Sequence, residues 1–239
     1  LPNAPAPSRR RRNEVSQRII VINPNSSVAC TEGIDAALES LRLAGGPEIE
    51  CRTLAEGPLG IETQAHVDGV IEPLCRLIAG QEGRADGFVI ACFSDPGLQV
   101  ARETTAKPVL GIAESGILTA LTLGRRFGII AILEASFPRH ERFIRAMGVE
   151  SRFAGERAVG LGVSELEDQD KTLGRMIDCA HRLKDDDGAD VLVMGCAGMA
   201  RYRERLEDAT GLPVIDPTQA AVGMAITAVR LGYRGAQQS

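Results

Sequence analysis

Two cysteines occupy matching places in two similar segments of the sequence. Ala85–Gly97 reads ADGFVIACFSDPG, and Ala189–Met199 reads ADVLVMGCAGM. In each segment an Ala-Asp pair stands seven residues before the cysteine, and a run of β-forming residues fills the interval. The pattern predicts that Cys92 and Cys196 stand at equivalent ends of two strands.

A thiol at such a position is expected to be reactive. Where a strand ends and a helix begins, backbone N–H groups and the helix dipole favour an anion, which lowers a thiol pKa from about 8.5 toward neutrality. A thiol with a pKa near the working pH is both a base and an acid. If Cys92 and Cys196 lie on opposite walls of one cleft, one thiolate can remove a proton from a substrate carbon while the opposite thiol delivers another. The pair is therefore predicted to invert that carbon without a cofactor.

Residues beside each cysteine are candidates for binding the substrate. Loss of a proton from carbon next to a carbonyl leaves an enolate, which oriented N–H donors stabilise. Phe93 and Ser94 supply such groups after the first cysteine, and Ala197 and Gly198 supply them after the second. The Ser94 hydroxyl is a further donor.

Other polar residues are predicted near the same cleft. Asn25 and Ser26 follow the first strand and would reach it, although Asn23-Pro24-Asn25 is read equally well as a turn and helix cap. Glu114 either tunes a thiol or contacts a substrate nitrogen, or is only a carboxylate at a helix N-terminus. Asp95 precedes a proline and is typical of a turn or cap.

The elements that would position these residues alternate along the chain. Each half is predicted to run strand, helix, strand, helix, cysteine strand, helix, strand. The predicted strands are Ile19–Ile22, Glu48–Thr53, Gly87–Cys92, Val109–Ala113, Phe127–Leu133, Ser151–Ala154, Val191–Gly195 and Pro213–Asp216. The predicted helices with both ends defined are Val28–Leu43, Gln64–Ala79, Leu98–Thr105, Asp168–Lys184 and Thr218–Leu231.

This repeated pattern predicts an α/β fold. Continuous apolar strands that alternate with helices indicate mainly parallel sheets flanked by helices. We expect two pseudo-symmetric lobes, of residues 18–113 with 217–239 and of residues 114–216, after a flexible Pro/Arg-rich tail at 1–17. Ligands of such sheets bind outside the carboxyl ends of the strands, which predicts an active site between the lobes.

Composition narrows the classes of partner. The net charge is −5, and among the 32 acidic residues only Glu14 falls in the Arg-rich opening segment. An acidic body without Trp argues against nucleic-acid binding, and apolar runs of strand length argue against a membrane span. A small-molecule substrate is the expected partner, and the lack of a secretory segment at the N-terminus favours a reducing cytoplasm.

The remaining ligating side chains are expected to be structural. Cys30, Cys51, Cys75 and Cys179 lie within helix or strand patterns, where cysteine usually packs as a small hydrophobe. The three histidines, His66, His140 and His181, are interpreted as packing or surface residues. No cysteine or histidine has zinc-finger spacing, and neither a Walker loop nor a full GxGxxG pattern occurs, so no metal or nucleotide is predicted.

Several motifs carry a resemblance to a known family. VINPNSS near the start, ACFSDPGLQVARE around Cys92, PVLGIAES after it and MGCAGM around Cys196 resemble the hydantoin and allantoin racemases, a branch of the aspartate/glutamate racemase superfamily. The resemblance runs from Arg18 to Tyr233. It implies two α/β lobes, an interlobe site, two-base racemisation without a cofactor, and a homo-oligomer.

The resemblance also implies roles for the residues singled out above. Cys92 and Cys196 would be the two bases, one for each enantiomer, and Phe93-Ser94 and Ala197-Gly198 would bind the carbonyl and ring nitrogen, helped by Asn25. Phe93 stands where amino-acid racemases of the superfamily commonly carry a small polar residue, which favours a less charged ring such as a 5-substituted hydantoin.

Two groups of alternatives stay open. Within the superfamily, the chain is also compatible with a decarboxylase, although an arylmalonate-type enzyme uses one cysteine, or with a maleate-type cis–trans isomerase, which keeps two. From another class, a two-lobed ligand-binding module without turnover would need no reactive thiol.

Overall fold

Two parallel sheets of four strands each form the framework of the molecule. The computed structural model describes residues 17–162, 165 and 169–236. The first sheet contains β1 (Arg18–Asn23), β2 (Glu48–Thr53), β3 (Gly87–Ile90) and β4 (Val109–Gly111). The second contains β5 (Phe127–Ala131), β6 (Phe153–Ala158), β7 (Val191–Met194) and β8 (Val214–Ile215).

The two sheets share one topology. Their strand orders are β2-β1-β3-β4 and β6-β5-β7-β8, and every pairing is parallel. In each sheet the second strand in chain order lies on one side of the first strand, and the third and fourth lie on its other side. The direction of the chain across the sheet therefore reverses between the first and third strands. That switch point is where open α/β sheets bind ligands. The expected α/β fold with two sheets flanked by helices is confirmed.

Nine helices of the described residues connect and cover the strands. They are α1 (Val28–Ala37), α2 (Gln64–Gly69), α3 (Ile71–Gln81), α4 (Leu98–Thr104), α5 (Ile112–Leu123), α6 (Phe137–Met147), α7 (Gln169–Asp185), α8 (Arg203–Thr210) and α9 (Pro217–Leu231). None of these helices has both the length and the hydropathy needed to cross a bilayer.

Several predicted bounds differ from the observed ones. The predicted helix Gln64–Ala79 is two helices separated at Val70, directly after Gly69, a residue that weakens helices. The predicted helix Val28–Leu43 ends early, with a 3-10 turn at Glu39–Leu41. The strand predicted at Ser151–Ala154 starts later because a 3-10 turn occupies Glu150–Arg152.

The central strands β1, β3, β5 and β7 are buried on both faces and divide the core into layers. Ile19 and Val21 belong to a central cluster that both sheets share, whereas Ile20 and Ile22 point to the opposite face and pack under α2, α3 and α4. In the second sheet Ile129 joins the central cluster, and the alternate positions pack under α7 and α8.

The two longest inner helices are exchanged between the sheets. α5 follows β4 but packs against β7, whereas α9 follows β8 and packs against β3 and β4. The helices also contact each other, and Gly116 lets them approach, since a Cβ there would lie 2.8 Å from Cβ of Pro217. This packing is consistent with lobes of residues 18–113 plus 217–239 and of 114–216, boundaries that stay a prediction.

The predicted tail at 1–17 lies almost wholly outside the described residues. Only Gln17 is described, and its side-chain amide donates a 3.0 Å hydrogen bond to the carbonyl of Val229 in α9.

Candidate active site

A cavity lies at the carboxyl ends of the strands, where loops of both sheets meet. The loops after β1 and β3 supply one wall, and those after β5 and β7 supply the other. The lining residues are Asn25, Cys30, Ile61, Glu62, Ala91, Cys92, Phe93, Ser94, Ile132, Leu133, Ser136, Arg139, His140, Gly195, Cys196 and Ala197. The cavity therefore opens at the switch points of both sheets.

Cys92 stands in a tight turn directly after β3. The residue before it continues the sheet, since the N–H of Ala91 donates a 2.8 Å hydrogen bond to Ile22. The turn closes when the N–H of Asp95 donates to the carbonyl of Cys92 at 2.9 Å. The N–H of Ser94 then points back and donates to the sulfur of Cys92.

Cys196 has the same surroundings after β7. The N–H of Gly195 donates a 2.8 Å hydrogen bond to Ile130, and a Cβ at 195 would lie 2.8 Å from that carbonyl oxygen, so this step requires glycine. The N–H of Met199 donates to the carbonyl of Cys196, and the N–H of Gly198 donates to its sulfur. Both thiols thus accept a backbone hydrogen bond from two residues ahead.

The pKa values of both thiols move opposite to the sequence expectation. Burial raises the pKa of Cys92 to about 12, and it raises the pKa of Cys196 further. The hydrogen bonds from Ser94 and Gly198 lower these pKa values but do not outweigh burial. Counting N–H donors from sequence missed the desolvation that the surrounding core imposes. Both groups are therefore thiols at neutral pH while the cavity holds no substrate.

The predicted binding residues separate into two sets. Asn25, Phe93, Ser94 and Ala197 line the cavity, whereas Gly198 reaches it only through its hydrogen bond to Cys196. The side-chain amide of Asn25 has one oxygen that accepts two hydrogen bonds, from Asn23 and Ser27, and a nitrogen whose one contact is the sulfur of Cys30 at 3.8 Å.

Three residues that the sequence predicted near the cleft do not line the cavity. The backbone N–H of Ser26 donates to Pro58, which anchors the loop. Asp95 accepts hydrogen bonds of 2.9 Å from the N–H groups of Ala113 and Glu114 and so caps α5. Glu114 pairs with Arg102 at 2.5 Å. The cap and helix-terminal readings of Asp95 and Glu114 describe their observed contacts.

Cys30 differs from the other cysteines that were expected to be structural. It is the third residue of α1, and its sulfur lines the cavity. A charge on Cys30 raises the pKa of both Cys92 and Cys196, so the three thiols interact electrostatically. This position had no signal in the sequence, because Cys30 lies in an ordinary helical pattern.

Arg139 was not anticipated by the sequence reasoning. It is the third residue of α6, and its guanidinium donates to the carbonyl of Ala135 at 3.0 Å and to that of Glu62 at 3.2 Å. Its Nε is buried without a hydrogen-bond partner. Its positive charge lowers the pKa of Cys92.

His140 is a wall residue of the cavity rather than a simple packing or surface residue. Its Nδ1 lies 2.5 Å from a carboxylate oxygen of Glu156, and both side chains are about 6% exposed. The His140 ring meets Phe93 edge to face, at 5.2 Å and 83°. Glu156 therefore fixes His140, and His140 fixes the aromatic ring that follows Cys92. In contrast, His181 is exposed.

No metal centre accompanies these groups within the described segments. Nowhere in residues 17–162, 165 and 169–236 do three His, Cys, Asp or Glu side chains converge as ligands. Chemically, the cavity offers thiols, an arginine, an amide and an apolar lining that includes Ile61, Ile132 and Leu133.

Comparison with known proteins matches nearly the whole chain. The family model Asp/Glu/Hydantoin racemase matches residues 19–225. A hydantoin racemase of Pseudomonas sp. (strain NS671) is 37% identical over 222 residues, which cover 91% of this chain and 88% of that protein.

Two solved structures are also similar. An allantoin racemase from Klebsiella pneumoniae superimposes with a TM-score of 0.85 at 36% identity, covering 92% of this chain and 91% of the other. An allantoin racemase from Pseudomonas fluorescens has a TM-score of 0.88 at 28% identity, covering 92% and 94%.

Proposed function

The chain belongs to the Asp/Glu/hydantoin racemase family and is an isomerase, a racemase, and from that premise we propose its substrate and mechanism. The substrate is a 5-substituted hydantoin, with allantoin among the candidates. The reaction is proton transfer at C5 by two bases, Cys92 and Cys196, and needs no cofactor.

One observation carries this proposal. Cys92 and Cys196 follow equivalent central strands of two sheets with the same order, and they line one cavity. A substrate between them presents one face of C5 to each sulfur. The similarity to hydantoin and allantoin racemases supports this ring class.

The proton transfer balances without any other reactant. One thiolate takes the C5 proton, and the electron pair of the C–H bond passes into the adjacent C4 carbonyl to form an enolate. The opposite thiol then donates its proton to C5 from the other face. The product is the mirror image, and the negative charge has moved from one sulfur to the other.

Because both thiol pKa values are high, the site has to stabilise a thiolate for the reaction to start. A buried thiol whose pKa is about 12, as for Cys92, needs local stabilisation to ionise. The N–H groups of Ser94 and Gly198 provide a hydrogen bond to each sulfur, and these bonds strengthen on the thiolate. When the substrate displaces water from the cavity, the negative charge can move only between the two sulfurs and the enolate.

Polar residues of the cavity wall bind the carbonyl groups of the ring, and apolar residues contact its 5-substituent or its face. The side-chain N–H₂ of Asn25 is a donor for a ring carbonyl, with help from backbone groups at Phe93-Ser94 and Ala197-Gly198. Ile61, Ile132 and Leu133 offer an apolar surface to the 5-substituent or the ring face.

Circular dichroism of optically pure substrates tests the proposal. Optically pure allantoin and several 5-alkyl hydantoins are incubated with the protein, and we expect the signal to decay to zero for at least one of them. Cys92→Ser and Cys196→Ser should each slow the decay by about 10²–10⁴-fold. Cys51→Ser is the matched control, because Cys51 lies in β2 outside the cavity lining.

The result that overturns the mechanism is equally direct. If either cavity variant racemises at the wild-type rate, the two-base assignment is wrong. If no hydantoin loses its optical signal while an arylmalonate releases carbon dioxide or maleate is isomerised, the substrate class is wrong. Binding without any turnover would instead identify a ligand-binding module.

A further inference from the structure

The two walls of the cavity match at the cysteines but differ at one equivalent helical position. α1 follows β1 and α6 follows β5, and these strands hold the same place in the two sheets. The third residue of α1 is Cys30, and the third residue of α6 is Arg139. Both line the cavity, so one wall carries a thiol where the other carries a guanidinium.

Arg139 is held in place by carbonyl groups rather than by a carboxylate. Its two terminal nitrogens donate to the main-chain oxygens of Ala135 and Glu62, and none of the ion pairs within the described part of the chain includes Arg139. Its Nε–H is buried without a partner. Because arginine stays charged in proteins, the cavity contains a positive charge that no carboxylate of residues 17–162, 165 and 169–236 neutralises at contact distance.

The charges around the two cysteines are correspondingly unequal. The positive charge of Arg139 favours the thiolate of Cys92, whereas the charges of Asp95 and Cys30 oppose it. Arg139 itself is attracted by Cys92 and Glu156 and repelled by Arg142. The attraction between Arg139 and Cys92 is therefore mutual.

Cys196 has no comparable cation among its main interactions. Among the strongest influences from the described residues, the charges of Cys30, Cys92 and Asp216 oppose its ionisation and the N–H of Gly198 favours it. Burial raises the pKa of both cysteines, and both sulfurs accept the same kind of backbone hydrogen bond, so the influence of Arg139 on Cys92 is what distinguishes the two.

We propose that Arg139 is a positioning residue that favours the thiolate of Cys92 over that of Cys196, so that Cys92 is the base and Cys196 the acid when the site first ionises. The assignment to base and acid rests on the two-thiol racemisation proposed above. The enantiomer whose C5–H faces Cys92 then reacts with the form of the site that is ionised at Cys92. The opposite enantiomer needs the other protonation state, in which the charge sits on Cys196.

Site-resolved alkylation of the full-length protein tests this inference. Iodoacetamide reacts with thiolates, and peptide mass spectrometry gives a rate for each cysteine across a range of pH. In the wild type we expect Cys92 to react faster than Cys196. In Arg139→Gln, Cys92 should slow by about tenfold or more at constant pH, and its pH dependence should move upward, because a nearby opposite charge is worth about one pKa unit or more.

Two further variants separate charge from structure. Arg139→Lys keeps a positive charge and should recover part of the Cys92 rate. Arg142→Gln, one turn along the same helix at an exposed position, should leave both cysteine rates unchanged. The alkylation rate of Cys196 and the far-UV circular dichroism of Arg139→Gln report whether its cavity and fold are intact.

The outcomes are distinguishable from those that test the proposed function. If Cys92 in a folded Arg139→Gln reacts at the wild-type rate and with the wild-type pH dependence, Arg139 has no such role, whatever the racemase activity. If alkylation changes as expected but no hydantoin is racemised, the electrostatic inference stands and the proposed substrate does not. If Cys196 reacts faster than Cys92 in the wild type, the assignment of base and acid is reversed.

Discussion

At the scale of single residues, the site is built from two thiols with the same backbone surroundings. Each sulfur accepts an N–H from the residue two positions ahead, Ser94 for Cys92 and Gly198 for Cys196. Their spacing from the strands was readable from the sequence, because turns after β-runs leave a local signature. The direction of their pKa shifts was not readable, because burial depends on residues far away in the chain.

The proposed mechanism predicts that each variant with one cysteine replaced still removes the C5 proton of one enantiomer but converts that enantiomer into the other far more slowly. Cys92→Ser and Cys196→Ser should lower racemisation by about 10²–10⁴-fold, as expected for loss of one acid–base group. In D₂O each variant should still exchange the C5 hydrogen of one enantiomer, and the two variants should choose opposite enantiomers. Proton NMR of each optically pure substrate measures this exchange.

The choice of enantiomer is the decisive readout of that experiment. A general loss of folding would remove exchange of both enantiomers together. Exchange of the same enantiomer by both variants would contradict one thiol on each face of C5.

Other wall residues had no sequence signal of their own. Arg139 and His140 lie in the first turn of α6, far from either cysteine in sequence, and His140 meets Glu156 only because β6 lies beside β5. Nothing in their spacing repeats between the halves. Residues that approach the site through tertiary packing alone are the ones that sequence reasoning missed.

At the scale of elements, the helix after β4 depends on a single buried cap. Asp95 has a positive φ of 40° and accepts the first N–H groups of α5 from an adjacent turn. It is 5% exposed, and burial raises its pKa from 3.8 to about 7 in spite of the two hydrogen bonds. The folded protein therefore binds a proton at Asp95 more tightly than the unfolded chain does.

This linkage predicts a pH dependence of stability. The contribution of Asp95 is full below the unfolded pKa and is lost as the pH rises through about 7, so the free energy of unfolding should fall by roughly 2–3 kcal/mol between pH 5 and pH 8. Asp95→Asn does not titrate and should remove this part of the slope. Urea unfolding of both proteins at the two pH values measures the difference.

The asparagine variant also has an expected cost. Its amide nitrogen cannot accept a hydrogen bond, so one N–H of α5 loses its partner and stability at pH 5 should fall by about 1 kcal/mol. A wild-type slope that persists unchanged in Asp95→Asn would show that other groups cause it.

The contact between α5 and α9 predicts a contrast between two helical glycines. A Cβ at Gly116 would lie 2.8 Å from Pro217, whereas a Cβ at Gly223 of α9 would meet nothing within 4 Å. Gly116→Ala should destabilise the protein by about 1–3 kcal/mol through overpacking. Gly223→Ala, its matched control, should stabilise it by about 0.5–1 kcal/mol, since alanine favours helices.

Chemical denaturation of the two alanine variants measures both effects. Equal changes in the two variants would mean that helix propensity alone decides and that the close approach of α5 and α9 is unimportant for stability.

At the scale of the whole molecule, the two sheets are predicted to unfold together. The central cluster contains Val21 and Val89 of the first sheet, Ile129 and Val193 of the second, and Ile117 of α5 between them. Because the sheets share this core, calorimetry should give one transition with equal calorimetric and van't Hoff enthalpies. Ile117→Ala should lower the midpoint of that transition without splitting it. Two resolved transitions would mean that the sheets are independent.

The overall architecture was largely predictable for a physical reason. Continuous apolar strands such as Val191–Met194 must be covered on both faces, and the repeated order of elements leaves few parallel arrangements that do so. The break at Val70 was not predictable from periodicity, because both flanking segments keep an apolar face. Oligomeric state stays a prediction of the family resemblance.

The exchange of α5 and α9 makes neither half of the polypeptide self-sufficient. If the first half were synthesised alone, the face of its sheet that α9 covers would be exposed, and α5 would lack the second sheet on which it packs. The second half alone would have the converse problem. A domain-swapped dimer of one half would solve both problems, because each copy would pack its last helix on the sheet of the other around a twofold axis. The internal duplication seen in the sequence is thus what a tandem fusion of such a reciprocal pair would produce.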